Sequence, residues 1–224
     1  CAEIIHDMAP EAQVYLAAVG NGGSSTDADI IRAARWLAEQ RVDIINFSGG
    51  GHGGPKNGSA PLDQLVDEIS RQGILWAISA GNEGGNHWLG QTQDRNGNGL
   101  VDVPGNDKGD FLVIEHRGGP LRITVSWDDW GAPGAPPSAS TDIDAYLLQV
   151  TPNGQAVVVG QSTNPQNGRG RPLEMIGGQA APGIYGLVLK AAALREQRPL
   201  HVFIQGASAF APRNPTGSLG SPGT

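Results

Sequence analysis

A change of period near residue 90 constrains this 224-residue chain more than any single motif does. Before it, strand-like apolar runs alternate with helically spaced ones. After it, short apolar runs are separated by turn residues and helical spacing does not return. In the first part "VDIINFS" (Val42–Ser48) and "ILWAISA" (Ile74–Ala80) read as strands, and the stretch between them predicts a helix over Leu62–Arg71. "DADIIRAARWLAEQ" (Asp27–Gln40) sets Ile30, Ala33, Ala34, Leu37 and Ala38 on one helical face, with Thr26 or Asp27 as N-cap. "QVYLAAV" (Gln13–Val19), after the Ala9–Pro10 turn, predicts a further strand. This alternation implies a parallel sheet with helices packed on it, a fold in which ligands sit beyond the carboxyl ends of the strands. Two Gly-rich stretches, Ser48–Gly54 and Gly81–Gly85, fall at those ends.

The second part predicts seven strands: Phe111–His116, Leu121–Asp128, Asp144–Val150, Gln155–Gly160, Leu173–Ile176, Ile184–Ala191 and Leu200–Gln205. "PNG" and "APG" are among the turns between them, a pattern that suggests a β-sandwich or jelly roll. Boundaries near residues 90 and 207 would make it a discrete module, and the tail beyond reads as loop.

The charge balance excludes one class of partner. The net charge is −7, and residues 1–90 hold 11 of the 22 acids but only 5 of the 15 bases. Neither part therefore carries the basic footprint of a nucleic-acid binder. The single cysteine, Cys1, rules out an internal disulfide framework. No apolar stretch approaches the ~20 residues of a membrane-spanning helix.

"GILWAISAGNEGG" (Gly73–Gly85) runs an apolar strand straight into an asparagine flanked by glycine. An amide suits a core poorly but donates hydrogen bonds well, and Gly81 and Gly84 let the backbone pass close to a ligand. A polar turn ending a strand would look the same on this stretch alone. Taken in order, "DMAPEAQVYLAAV", "VDIINFSGG" and "GILWAISAGNEG" resemble the subtilisin-like serine proteases over Cys1 to about Gly85. The resemblance implies that Asn82 is the oxyanion-hole donor. It also implies that Ser48, Gly49 and Gly50 form the strand that pairs with the substrate backbone, with Ala80 and Gly81 as the opposite wall of the pocket. Gly49 departs from the family's commoner leucine, which leaves the pocket's preference open. The family's catalytic Asp, His and Ser are expected outside this chain, so the segment alone is expected to be inactive. His6 sits too late in its helix to be the triad histidine and reads as an ordinary helix-end residue.

In that family a short loop returns the chain from "GNEG" to the core, whereas some 120 residues intervene here. The expected fold is therefore α/β: a partial parallel-sheet, subtilisin-like core (1–90), an inserted all-β, jelly-roll-like sandwich (91–207), and a segment returning toward the protease core (208–224). The resemblance further implies a polypeptide substrate, the remainder of the protease chain as partner, and a secreted or extracytoplasmic location. No cofactor is required.

Other motifs are weaker. "DRNGNGLVD" sets oxygen side chains at Asp94, Asn96 and Asn98, with Asp102 following. This resembles the first half of a calcium loop, although Gly105 stands where an EF-hand needs glutamate; an Asx-rich surface turn is the simpler reading. "STDIDAYLL" puts Asp142, Asp144 and Tyr146 on one strand face, like an Asp-x-Asp strand in the prepeptidase C-terminal sandwiches that accompany secreted bacterial proteases. A solvated strand face is the simpler reading. Trp127 and Trp130 could form a binding platform or simply pack. His52 and His87 lie in or beside the Gly-rich loops, where either could meet substrate. "AISAG" approximates a hydrolase nucleophile elbow at Ser79, with Asp142 and His201 after it, but no helix follows the serine. A non-catalytic binding module for protein, glycan or calcium, or a pseudoenzyme, is the alternative to the protease reading.

Overall fold

The computed structural model describes residues 1–20, 25–151 and 153–213. The described residues divide into two compact units: Cys1–Ser48 with Pro61–Ile78, and Gly49–Ala60 with residues 79–213.

The first unit holds α1 (Ala2–Met8), α2 (Asp27–Glu39), β1 (Ile44–Phe47), α3 (Pro61–Ser70) and β2 (Leu75–Ile78). Helix α2 starts where the sequence places its cap. The Thr26 hydroxyl accepts from the Asp29 backbone N–H, and the Asp29 carboxylate accepts from the Thr26 N–H, which closes a capping box. Strands β1 and β2 are parallel, with Ile44 opposite Leu75 and Phe47 opposite Ile78. Ala34, Ile45, Leu65, Ile69 and Ile74 form a small buried core between the helices and this ladder.

One expectation fails here. Gln13–Val19 forms no strand. Its exposure alternates as an extended run should, and Tyr15 packs edge-on against Trp36 with ring centroids 6.3 Å apart. Alternation alone makes no strand, because a ladder needs a neighbour's N–H and C=O groups.

The named strands of the second unit all pair antiparallel. They are β3 (His87–Gln91), β4 (Leu112–His116), β5 (Gly119–Trp127), β6 (Asp142–Val150), β7 (Ala156–Ser162), β8 (Leu173–Ala180), β9 (Gly183–Ala193), β10 (Pro199–Gln205) and β11 (Ala209–Ala211). The strands form a four-stranded sheet, β3-β10-β5-β8, and a five-stranded sheet, β11-β4-β9-β6-β7. Ile123, Val125, Leu200, Val202 and Ile204 from the first sheet share one buried cluster with Leu112, Ile114, Ile143, Leu187 and Leu189 from the second. The two sheets thus face each other across a common apolar core.

Each of the seven expected strands is present. Strands β3 and β11 were not expected; both are short sheet edges, with ladder partners far away in the sequence. The label α/β describes the first unit only, and most residues in regular secondary structure lie in antiparallel strands. From residue 214 on, the expected return segment lies outside the described residues.

Candidate active site

Ser48–Gly50 and Ala80–Asn82 leave the carboxyl ends of two adjacent parallel strands, β1 and β2. Within the second unit the two exits are tied directly, since the Ser79 hydroxyl donates to the Gly49 carbonyl at 3.2 Å. Ser48 is exposed, and the Asn46 side-chain amide donates to its hydroxyl at 3.4 Å. Gly81 has φ +88°, a left-handed conformation that glycine adopts without strain. That turn ends the strand and delivers Asn82, whose side chain is exposed, to the start of a 3-10 turn at Glu83–Gly85.

Glu83 holds this turn in place. One carboxylate oxygen accepts the Asn82 backbone N–H at 2.8 Å. The other lies 3.3 Å from His52 Nε2 and 3.4 Å from the Gln205 side-chain nitrogen, which donates to it. The His52 ring stacks on Phe203 at 4.3 Å, and His87 stacks on the same phenyl ring, also at 4.3 Å. Burial pushes the His52 imidazole below its ordinary range; the Glu83 carboxylate acts in the opposite sense without prevailing. His52 Nδ1 is buried with no hydrogen-bond partner, which fits a neutral ring: protonation would strand an N–H there. Contact with Glu83 near pH 7 is thus a hydrogen bond from a neutral imidazole and not an ion pair.

His87 is buried, and His201 lies 3.0 Å from its Nε2, which removes His87 as a residue for meeting substrate. Ser79 is no nucleophile elbow, because a 3-10 turn follows it in place of a helix. Trp127 is also buried, its indole N–H donating to the Thr141 carbonyl at 3.1 Å, so it cannot serve as a platform. Asp144 accepts from the Tyr146 hydroxyl and pairs with Lys190 at 3.7 Å, as a solvated strand face would.

The loop carrying Asp94, Asn96, Asn98 and Asp102 is turned by its own side chains. Asp94 accepts from the Asn98 and Gly99 N–H groups, and Asn96 from the Asn98 N–H. Asp102 accepts from the Arg95 N–H, while the Asn96 and Asn98 amides both donate to Asp110. Among the described residues no three His, Cys, Asp or Glu side chains gather as a metal site. No helix among them is long and apolar enough to cross a membrane.

Sequence reading did not find Glu83 and Gln205. They lie 122 residues apart, and no local pattern links them.

The parallel pairing of β1 with β2 fits the family-level comparison. The chain matches the Subtilase family over residues 2–170 and belongs to it. Subtilisin DY of Bacillus licheniformis is 36% identical over 78 residues, covering 34% of this chain and 27% of that protein. Subtilisin E of Bacillus subtilis is 37% identical over 78 residues, covering 34% and 19%. Tripeptidyl-peptidase 2 of Drosophila melanogaster is 33% identical over 89 residues, covering 36% and 6%. The chain thus spans about a quarter or less of the length of these curated relatives. The crystal structure of Yersinia pseudotuberculosis-derived mitogen aligns with 58% of this chain and 96% of its own at 12% identity, but its TM-score of 0.32 carries no assignment.

Proposed function

We propose that this chain is a segment of a subtilisin-like serine endopeptidase in which Asn82 is the oxyanion donor. Ser48, Gly49 and Gly50 align the substrate backbone, and Ala80 and Gly81 form the facing wall. The observation that supports this reading lies within the second unit: the Ser79 hydroxyl bonds the Gly49 carbonyl, and Asn82 is exposed directly after the left-handed turn at Gly81. A donor held there costs nothing to reorganise when negative charge develops on a peptide carbonyl oxygen.

The nucleophile and its base come from the remainder of the protease chain, and the segment alone is inactive. Apolar residues exposed in the first unit support such a partner: Ile4 and Met8 on α1, Ile44 on β1 and Leu75 on β2. The second unit is an insertion in the protease core, akin to the prepeptidase C-terminal sandwiches. The substrate is a polypeptide, and the protease acts outside the cytoplasm. The loop at Asp94, Asn96, Asn98 and Asp102 is first an Asx-rich turn, and its alternating oxygen side chains make it the candidate calcium site of this chain.

Asn82→Ala in the intact protease tests the site. We expect kcat to fall about 10²–10³-fold, a magnitude carried over from subtilisin's own oxyanion asparagine, with KM nearly unchanged. Equal changes in both constants, or none, would remove Asn82 from the role.

A second reading rests on a cleft of about 480 Å³ between the β7 and β8 edges, lined by Leu147, Gln149, Gln161, Ile176 and Tyr185 among others. It suits a non-catalytic binding role for the second unit. Fluorophosphonate labelling separates the readings: a gene-length protein that fails to label leaves the binding module or pseudoenzyme.

A further inference from the structure

We infer that the second unit itself aims the oxyanion donor, through a clamp in which Glu83, gripped by Gln205 of β10 and His52 of the Gly-rich loop, holds the Asn82 backbone. This inference rests on the proposed role of Asn82. Alternation along β10 makes the clamp possible. Leu200, Val202 and Ile204 point into the core between the sheets, so His201, Phe203 and Gln205 project from the outer face. That outer face receives the Gly49–Ala60 loop. His52 stacks on Phe203, Lys56 Nζ lies 5.5 Å from the same ring, and Asn57 donates to Asp128 at 3.2 Å.

Glu83 divides its two oxygens between the sheet and the turn. One receives the Asn82 N–H; the other faces His52 and Gln205. The His52 and Glu83 side chains are only 13% and 15% exposed, so water competes weakly for these bonds. An oxyanion donor must hold its aim within a fraction of an ångström, and Asn82 sits on a turn with glycines on both sides, at Gly81 and Gly84. Glu83, His52 and Gln205 are therefore positioning residues, acting through Asn82 and not on the substrate.

A double-mutant cycle in the intact protease tests this. Gln205→Leu is expected to lower kcat about tenfold with KM unchanged, and to have no further effect on an Asn82→Ala background. His52→Phe keeps the stacking on Phe203 and should reproduce the loss. His52→Gln keeps a donor toward Glu83 and should restore most of the rate. A kcat untouched by both Gln205→Leu and His52→Phe overturns the clamp. So does an equal loss with and without Asn82, which a merely structural role would give. If Asn82→Ala itself leaves kcat unchanged, the site assignment falls, and the clamp with it. Should Gln205→Leu fail to fold, the His52 pair decides alone.

Discussion

His87 Nε2 and His201 Nδ1 lie 3.0 Å apart, with the two ring planes within 3° of parallel, and both residues are buried. One ring nitrogen donates and the other accepts, an arrangement that two neutral imidazoles satisfy. Burial first, then the repulsion a protonated His201 would meet from His87 and Lys56, pushes His201 down to about 4. The unfolded chain binds this proton near the ordinary value of 6.5, whereas the folded one resists it. Between those two values the unfolded state holds more protons, so stability falls as pH drops from about 6.5 to about 4 and levels below. We expect the second unit's thermal midpoint to decline over that window. In a His87→Phe/His201→Leu double variant the decline should be much shallower; an unchanged slope would assign it to carboxylates instead.

Trp88 lies folded over Gly90. A Cβ at position 90 would stand 2.0 Å from the Trp88 ring, and the indole is only 2% exposed. Gly90→Ala must therefore displace a core side chain, at a cost of about 2 kcal/mol. Denaturant titration of this chain, followed by tryptophan emission, should show the earlier midpoint. Wild-type stability in the variant would mean that the ring has room to move.

Thr26→Ala removes one half of the α2 capping box and should destabilise the first unit by about 1 kcal/mol. Thr26→Ser, which keeps the hydroxyl, should recover most of it. The reading fails if both variants unfold at the wild-type midpoint.

Calcium binding can be checked on this chain by titration calorimetry. The proposal expects saturable heat that Asp94→Ala and Asp102→Ala each abolish. Heat that is absent, or that survives both substitutions, would leave the loop as an Asx turn anchored on Asp110.

Much of the fold was legible because its signals are local. Helical spacing and a Thr cap marked α2, and alternation marked β6, where Ile143, Ala145 and Leu147 are buried as their positions predict. Glycine at position 81 announced a turn that φ +88° requires. Asn82 could be singled out for the same reason: a polar side chain at the tip of an apolar strand stands out within a dozen residues.

Tertiary structure decided the rest, because the deciding partners are remote in sequence. Gln13–Val19 has a strand's alternation without a ladder, while His87–Gln91, interrupted by a glycine, becomes a strand because β10 offers it hydrogen-bonding groups. His87 was legible only as a histidine near a Gly-rich loop; its place beside His201 and Phe203 follows from the pairing of β3 with β10. Glu83 joins His52, Gln205 and the Asn82 N–H only once the second unit has formed. Local pattern determines which residues can turn, pair or be buried, and long-range packing determines which of them meet.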